Sequence, residues 1–170
     1  YDGSSRLGAN NKWAFFPSAA FGWRLSDEAF LSDQDVIDEL KLRLSIGQSG
    51  NQNIPAFMSL SSLSISNALI GDNIITGFAP NRIGNPDLKW ETTTQSNLGI
   101  DLGLFYGRLY ITADAYYKKT TDLLFDVPIP TESGYSSAFK NIGSLENKGV
   151  ELSLRASILT GALKWDISTN

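Results

Sequence analysis

The chain has 170 residues, a formal charge of −4, and 14 Lys and Arg residues dispersed along it rather than gathered in a stripe. That dispersal argues against a nucleic-acid partner, because neutralising phosphates takes a concentrated positive surface. There is no Cys and no His, which removes disulfides, thiolate and imidazole metal ligands, and the commonest general base. A hydrophobic content of 42% argues against disorder.

No stretch approaches the roughly 20 apolar residues that a spanning helix requires. A spanning β-strand needs only about 9 to 11 residues, and hydropathy averages hide it because every second residue is polar. The chain opens at Tyr1 without an initiator Met or signal peptide and closes at Asn170 just after an apparent strand. It is expected to be a piece of a longer polypeptide.

Taken in chain order, residues 13–25 predict the first strand. Trp13, Phe15, Pro17, Ala19, Phe21, Trp23 and Leu25 share one parity, with Ala14, Phe16, Ser18, Ala20, Gly22 and Arg24 on the other. Aromatic residues stand at both ends of the apolar face, as in a strand whose Trp and Tyr side chains lie at lipid headgroup depth. Pro17 is awkward inside such a run. Residues 26–39 are polar and acidic and predict a connection, with a short helix near Asp35–Leu40. In residues 40–46, Leu40, Leu42, Leu44 and Ile46 alternate with Lys41, Arg43 and Ser45, which is strand and not helix periodicity.

From Gly47 to Lys89 the alternation fades into Asn, Ser, Gly and Pro. This predicts a long connection with a short strand or turn at Leu60–Leu69; such loops are usually functional. The clearest alternation follows. Trp90, Thr92, Thr94, Ser96, Leu98, Ile100, Leu102 and Leu104 face one way, and Glu91, Gln95, Asn97, Gly99 and Asp101 the other. Residues 105–108 predict a tight turn, and the return strand sets Leu109, Ile111, Ala113, Ala115 and Tyr117 against Tyr110, Thr112, Asp114, Tyr116 and Lys118. A second irregular connection covers about 121–147. A fifth strand then sets Val150, Leu152, Leu154, Ala156 and Ile158 against Glu151, Ser153 and Arg155. After a turn at 160–162, the sixth sets Leu163, Trp165 and Ile167 against Lys164, Asp166 and Ser168.

The fold class is therefore all-β: an antiparallel up-and-down meander of about six strands, short turns alternating with long loops. A transmembrane barrel with short periplasmic turns and long extracellular loops has this asymmetry, its apolar face turned to lipid. The polar parity carries Arg43, Asp101, Asp114, Lys118, Glu151 and Arg155, too many charges for a buried core, so these are expected to face a wet lumen. The competing arrangement is a soluble, secreted β-sandwich that binds carbohydrate, with the apolar parity as its core and the charges in solvent.

Ordered along the chain are Asp2-Gly3-Ser4-Ser5-Arg6, Asn11-Lys12-Trp13, Phe16-Pro17-Ser18, Gly22-Trp23-Arg24, Leu40-Lys41-Leu42-Arg43, Gly47-Gln48-Ser49-Gly50-Asn51-Gln52, Asn85-Pro86-Asp87-Leu88-Lys89-Trp90-Glu91, Tyr116-Tyr117-Lys118-Lys119-Thr120-Thr121-Asp122-Leu123-Leu124, Asn141-Ile142-Gly143 and Asn147-Lys148-Gly149-Val150-Glu151. In this combination the chain resembles the barrel of SusC/RagA-type TonB-dependent outer-membrane transporters of Bacteroidetes. The resemblance covers nearly the whole chain and implies that residues 1–170 are a fragment from the C-terminal half of a large barrel. The plug and the TonB-contacting segment would then lie elsewhere in the protein. It further implies an outer-membrane location, energy-coupled import of oligosaccharides or peptides, and a SusD-like lipoprotein partner.

Asp101 and Asp114, on neighbouring strands, could be read as the paired carboxylates of a glycosidase; lumen hydrogen bonding is the simpler role, and no enzymatic activity is expected. Gly47-Gln48-Ser49-Gly50 has the wrong spacing for a nucleophile elbow and lacks a His to activate the serine. No metal site and no cofactor is expected. Binding residues should lie on the long loops, where Phe57, Phe78, Trp90 and Tyr135 are the aromatic candidates for stacking on sugars or packing against peptide side chains. For each of these, packing between loops is the alternative role, and for Trp90 so is anchoring at the membrane interface.

Overall fold

The computed structural model describes residues 1–170, the side chain of Thr131 excepted. Its strands are β1 (Asp2–Gly3), β2 (Trp13–Ala14), β3 (Ser18–Arg24), β4 (Ile37–Asn51), β5 (Ser62–Ile70), β6 (Asn73–Arg82), β7 (Glu91–Leu104), β8 (Leu109–Thr121), β9 (Leu124–Pro128), β10 (Ser137–Asn141), β11 (Ser144–Thr160) and β12 (Lys164–Thr169). Single 3-10 turns at Leu25–Asp27, Ala29–Leu31 and Thr131–Ser133 are the only helical elements among the described residues. A six-stranded sheet has the order β12-β11-β8-β7-β4-β3. Once the hairpins β5–β6 and β9–β10 are set aside, each strand neighbours the next in sequence, which is an up-and-down meander.

The chain divides into two units, one of residues 1–16, 49–93 and 120–145, the other of residues 17–48, 94–119 and 146–170. The second is the body of the sheet. Its registers confirm the two parities: Ala19, Phe21 and Trp23 of β3 stand opposite Ile46, Leu44 and Leu42 of β4, while Ala20, Gly22 and Arg24 stand opposite Ser45, Arg43 and Lys41. Between β11 and β12 the register shifts at Ser157/Leu159. The bulge inserts Ile158 and returns Leu159 to the apolar face opposite Trp165. Nothing in this unit seals the apolar face: Phe21, Leu44, Leu98, Val150 and Leu152 are all exposed. A sandwich would bury these side chains under a second sheet.

The first unit is made of the long connections. Leu7, Ile54, Leu88 and Trp90 form its buried core, with Ala14, Phe16, Met58, Leu124 and Phe139 packed against them. Hairpins β1–β2, β5–β6 and β9–β10 are antiparallel pairs within it.

Four expectations are corrected. The strand read over 13–25 is broken into β2 and β3, because Pro17 has no N–H to donate and only its carbonyl is used, accepting from Gln48 N at 2.9 Å. The helix near Asp35–Leu40 does not form: the Gln34 amide accepts from Val36 N and Ile37 N and donates to Ile37 O, holding the chain extended where β4 starts. The loop read from Gly47 to Lys89 begins instead with the end of β4 and contains the paired strands β5 and β6. Likewise 121–147 contains β9 and β10, and β11 starts at Ser144.

Candidate functional site

On the polar face of the sheet body, Arg43 of β4 reaches carboxylates on two successive strands. Its Nε lies 2.7 Å from Asp101 Oδ2 on β7, and its Nη2 lies 3.0 Å from Asp101 Oδ1 and 2.9 Å from Asp114 Oδ1 on β8. The fork geometry of a guanidinium allows this bidentate grip on one carboxylate and a further bond to another. All three side chains are partly exposed, at 36%, 28% and 29%. With both carboxylates gripped by one cation, their arrangement is that of a strand tie and not of an acid and base flanking a substrate.

Space for the tie comes from Gly99, a residue the sequence reading passed over. A Cβ there would lie 2.7 Å from Arg43 Cζ and fall on the Asp114 carboxylate. A glycine inside a strand marking a close approach is a signal that could have been used. Beside it, Asn97 Nδ2 donates to Ser45 Oγ at 3.1 Å. Lys118, Glu151 and Arg155 are exposed on the same polar parity, outside the Arg43 group.

In the loop unit, the residues 85–91 form the central strap. Leu88 is completely buried and Trp90 8% exposed. The Trp90 ring meets Phe16 edge-on at 5.4 Å, and its indole N–H donates to Lys12 O. Of the four aromatic candidates, Trp90 is packed into the core of the loop unit with Leu7, Ile54 and Leu88, the packing role weighed for it from sequence. Phe57 and Phe78 are exposed, at 68% and 75%, and Tyr135 is half-buried near the tip of the β9–β10 hairpin. Phe78 shares a ribbon face with its cross-strand partner Ile65. Leu63, Leu69 and Ile74 are also exposed on that ribbon.

Polar ties lock the strap to its neighbours. Asn141 accepts from Lys89 N at 2.9 Å and donates to Lys89 O and Asp122 O. Glu91 accepts from Asn51 Nδ2 and from Leu124 N, and Lys89 Nζ pairs with Asp122 at 3.0 Å. Sequence alone had no signal for these roles, since a polar side chain in a loop does not reveal which distant backbone it will satisfy. Asn141→Ala in the full-length protein is expected to cost about 1–2 kcal/mol locally, because two backbone carbonyls and one N–H lose their partner. Hydrogen exchange at β9–β10 amides should accelerate roughly tenfold.

The combination of an uncovered apolar sheet face, a charged opposite face and a packed unit of long connections matches a known barrel family. All 170 residues match the family model described as TonB dependent receptor-like, beta-barrel. The chain belongs to the TonB-dependent receptor β-barrel family. Within that family it is 42% identical over 177 residues to TonB-dependent receptor SusC of Bacteroides thetaiotaomicron, covering 100% of this chain and 18% of that protein. It is 45% identical over 170 residues to TonB-dependent receptor P39 of Formosa agariphila, covering 99% of this chain and 16% of that protein. The chain thus spans about a sixth of the length of these relatives.

Among solved structures, the barrel segment is similar to the RagAB peptide importer in its closed-closed state, with a TM-score of 0.82 and 35% identity over 94% of this chain and 17% of that one. For the open-open state the TM-score is 0.81, with 34% identity over 93% and 17% of the two chains. The SusC/RagA resemblance and the all-β antiparallel fold are thereby established. Strap residues 85–91 and the Asn141 motif, two of the ordered motifs behind that resemblance, help to tie the loop unit together.

Proposed function

We propose that this chain is a barrel segment of an outer-membrane, TonB-dependent importer of oligosaccharides or peptides that works with a SusD-like lipoprotein. The plug and the TonB-contacting segment belong to other parts of the full-length protein. The observation that carries this reading is the two-faced sheet, whose apolar parity has no protein cover. On β8 the apolar positions run from Leu109 to Tyr117. Eight steps of about 3.3 Å, tilted at about 40°, give a band roughly 20 Å tall, close to the lipid-facing band of outer-membrane barrels. Arg43, Asp101, Asp114, Lys118, Glu151 and Arg155 line the wet interior in this reading. Phe57, Phe78 and Tyr135, on the long connections, are the aromatic surfaces offered to cargo at the mouth.

Nitroxide labels at Leu98 and Leu152 of the full-length protein in bilayers test the reading. Both are expected to relax strongly with oxygen and weakly with a water-soluble nickel chelate. The reverse pattern at both positions would remove the membrane assignment and, with it, the importer.

A further inference from the structure

The turn between β7 and β8 is built against local preference. Phe105, Tyr106 and Gly107 all have left-handed φ values, of 59°, 58° and 76°. Successive left-handed positions in a tight hairpin are normally filled by Asn, Asp or Gly, which tolerate that backbone. Two bulky aromatic residues do not, because Cβ crowds the following carbonyl.

The backbone of the turn is held by groups that do not use the rings. Phe105 N donates to Val36 O at 3.0 Å, Gly107 N to Asp38 Oδ2 at 2.8 Å and Arg108 N to Phe105 O at 3.3 Å. Arg108 itself donates to the carbonyls of Ser157 and Ile158. Asn-Gly in place of Phe-Tyr would satisfy every one of these bonds. The rings gain little packing in return: Phe105 is half exposed, at 49%, and Tyr106 80% exposed. The strain is not repaid inside the unit.

What the rings do share is a position at the end of the apolar stripe of β7, directly after Leu98, Ile100, Leu102 and Leu104. The other two connections of this unit also expose bulky apolar groups: Phe30 in 25–36, Leu163 in 161–163 and the adjacent Trp165. Tyr and Trp, with an apolar body and one polar tip, favour the lipid headgroup layer. We propose that the 105–108 turn is a lipid-surface anchor in which Phe105 and Tyr106 seat in the headgroup layer, the interface compensating a backbone that the sequence would otherwise avoid. This rests on the barrel spanning a membrane. A periplasmic protein partner would need a charged or hydrogen-bonding rim, and the cation of this turn, Arg108, is already bound to carbonyls.

The test uses full-length protein refolded into phosphatidylcholine–phosphatidylglycerol vesicles, with a bimane fluorophore on a single cysteine at Tyr106→Cys or Ile100→Cys. Nitroxide on the lipid headgroup is expected to quench the label at 106, and nitroxide deep on the acyl chain the label at 100. If the label at 100 sees lipid while that at 106 answers only to aqueous iodide, the anchor is overturned and the membrane reading stands. If neither sees lipid, both fall. A second measurement uses the variant F105N/Y106G, which relieves the strain. Its refolding yield into these vesicles is expected to drop roughly threefold or more, because the anchor is gone. A yield equal to or above that of the parent protein would overturn the proposal.

Discussion

Replacing Leu88 by Ala is expected to loosen the loop unit by about 3 kcal/mol, within the roughly 2–5 kcal/mol that buried Leu→Ala changes cost. Leu88 has no exposed surface and stands in the middle of the core formed with Leu7, Ile54 and Trp90. The site has little freedom to collapse. Gly8 N donates to Leu88 O, and a Cβ on Gly8 would run into the Pro86 carbonyl, so the two backbone segments over the side chain are already at closest approach. Across the strap, Asn11 donates to Asp87 O and Asn141 to Lys89 O. Backbone pinned on both flanks keeps the void open, which places the cost above that of a site able to relax. Hydrogen exchange of amides at 85–91 and 137–141 in the full-length protein should rise by roughly two orders of magnitude. The nitroxide pattern at Leu98 and Leu152 should not change, because the exposed apolar stripe of the sheet body is a separate set of contacts. Unaltered exchange at the strap would show that its order comes from the polar ties alone.

Alternation was the legible part of this sequence. Period-2 patterning located the strands of the six-stranded sheet and put Arg43, Asp101 and Asp114 on one parity, since a side chain's face is fixed by counting along an extended backbone. Which charges meet was not legible. The Arg43 contacts require β4 to lie beside β7, and that adjacency passes over β5–β6, a hairpin read largely as loop. Its signal was weak for a physical reason. Leu63, Ile65 and Leu69 alternate, but Ile74-Ile75 and Pro80 disrupt the pattern in β6, and the two-residue Gly71-Asp72 turn was the remaining clue. The same limit applies to Trp90. Its aromatic ring is equally suited to ligand, interface or core, and only the positions of Phe16 and Lys12 decide among them. Phe105 and Tyr106 mark the opposite case, where a tight turn was correctly expected from sequence although its residue types contradict the conformation adopted.

Replacing Arg43 by Met is expected to destabilise the sheet body of the full-length protein by about 2–3 kcal/mol, more than the loss of an ordinary surface ion pair. The guanidinium makes close contacts to Asp101 and Asp114 on successive strands. Removing it leaves two partly desolvated carboxylates facing the same space with no cation between them. Solvent reaches all three groups, which keeps the cost below the roughly 3–5 kcal/mol seen when a fully buried pair is broken. A triple variant, R43M/D101N/D114N, discriminates the causes. If like-charge repulsion and lost hydrogen bonds account for the damage, amides in place of the carboxylates should recover at least half of the lost stability. If the damage comes from the void beside Gly99, the triple variant should be no better than R43M. Urea unfolding of the full-length protein in detergent, read at the midpoint and with unchanged slope, separates these outcomes. A Gly99→Val variant should reproduce much of the R43M loss with every charge retained, because the added side chain occupies the volume that the guanidinium now fills. The polar parity of the sheet would then owe its register to one cation and the glycine that makes room for it.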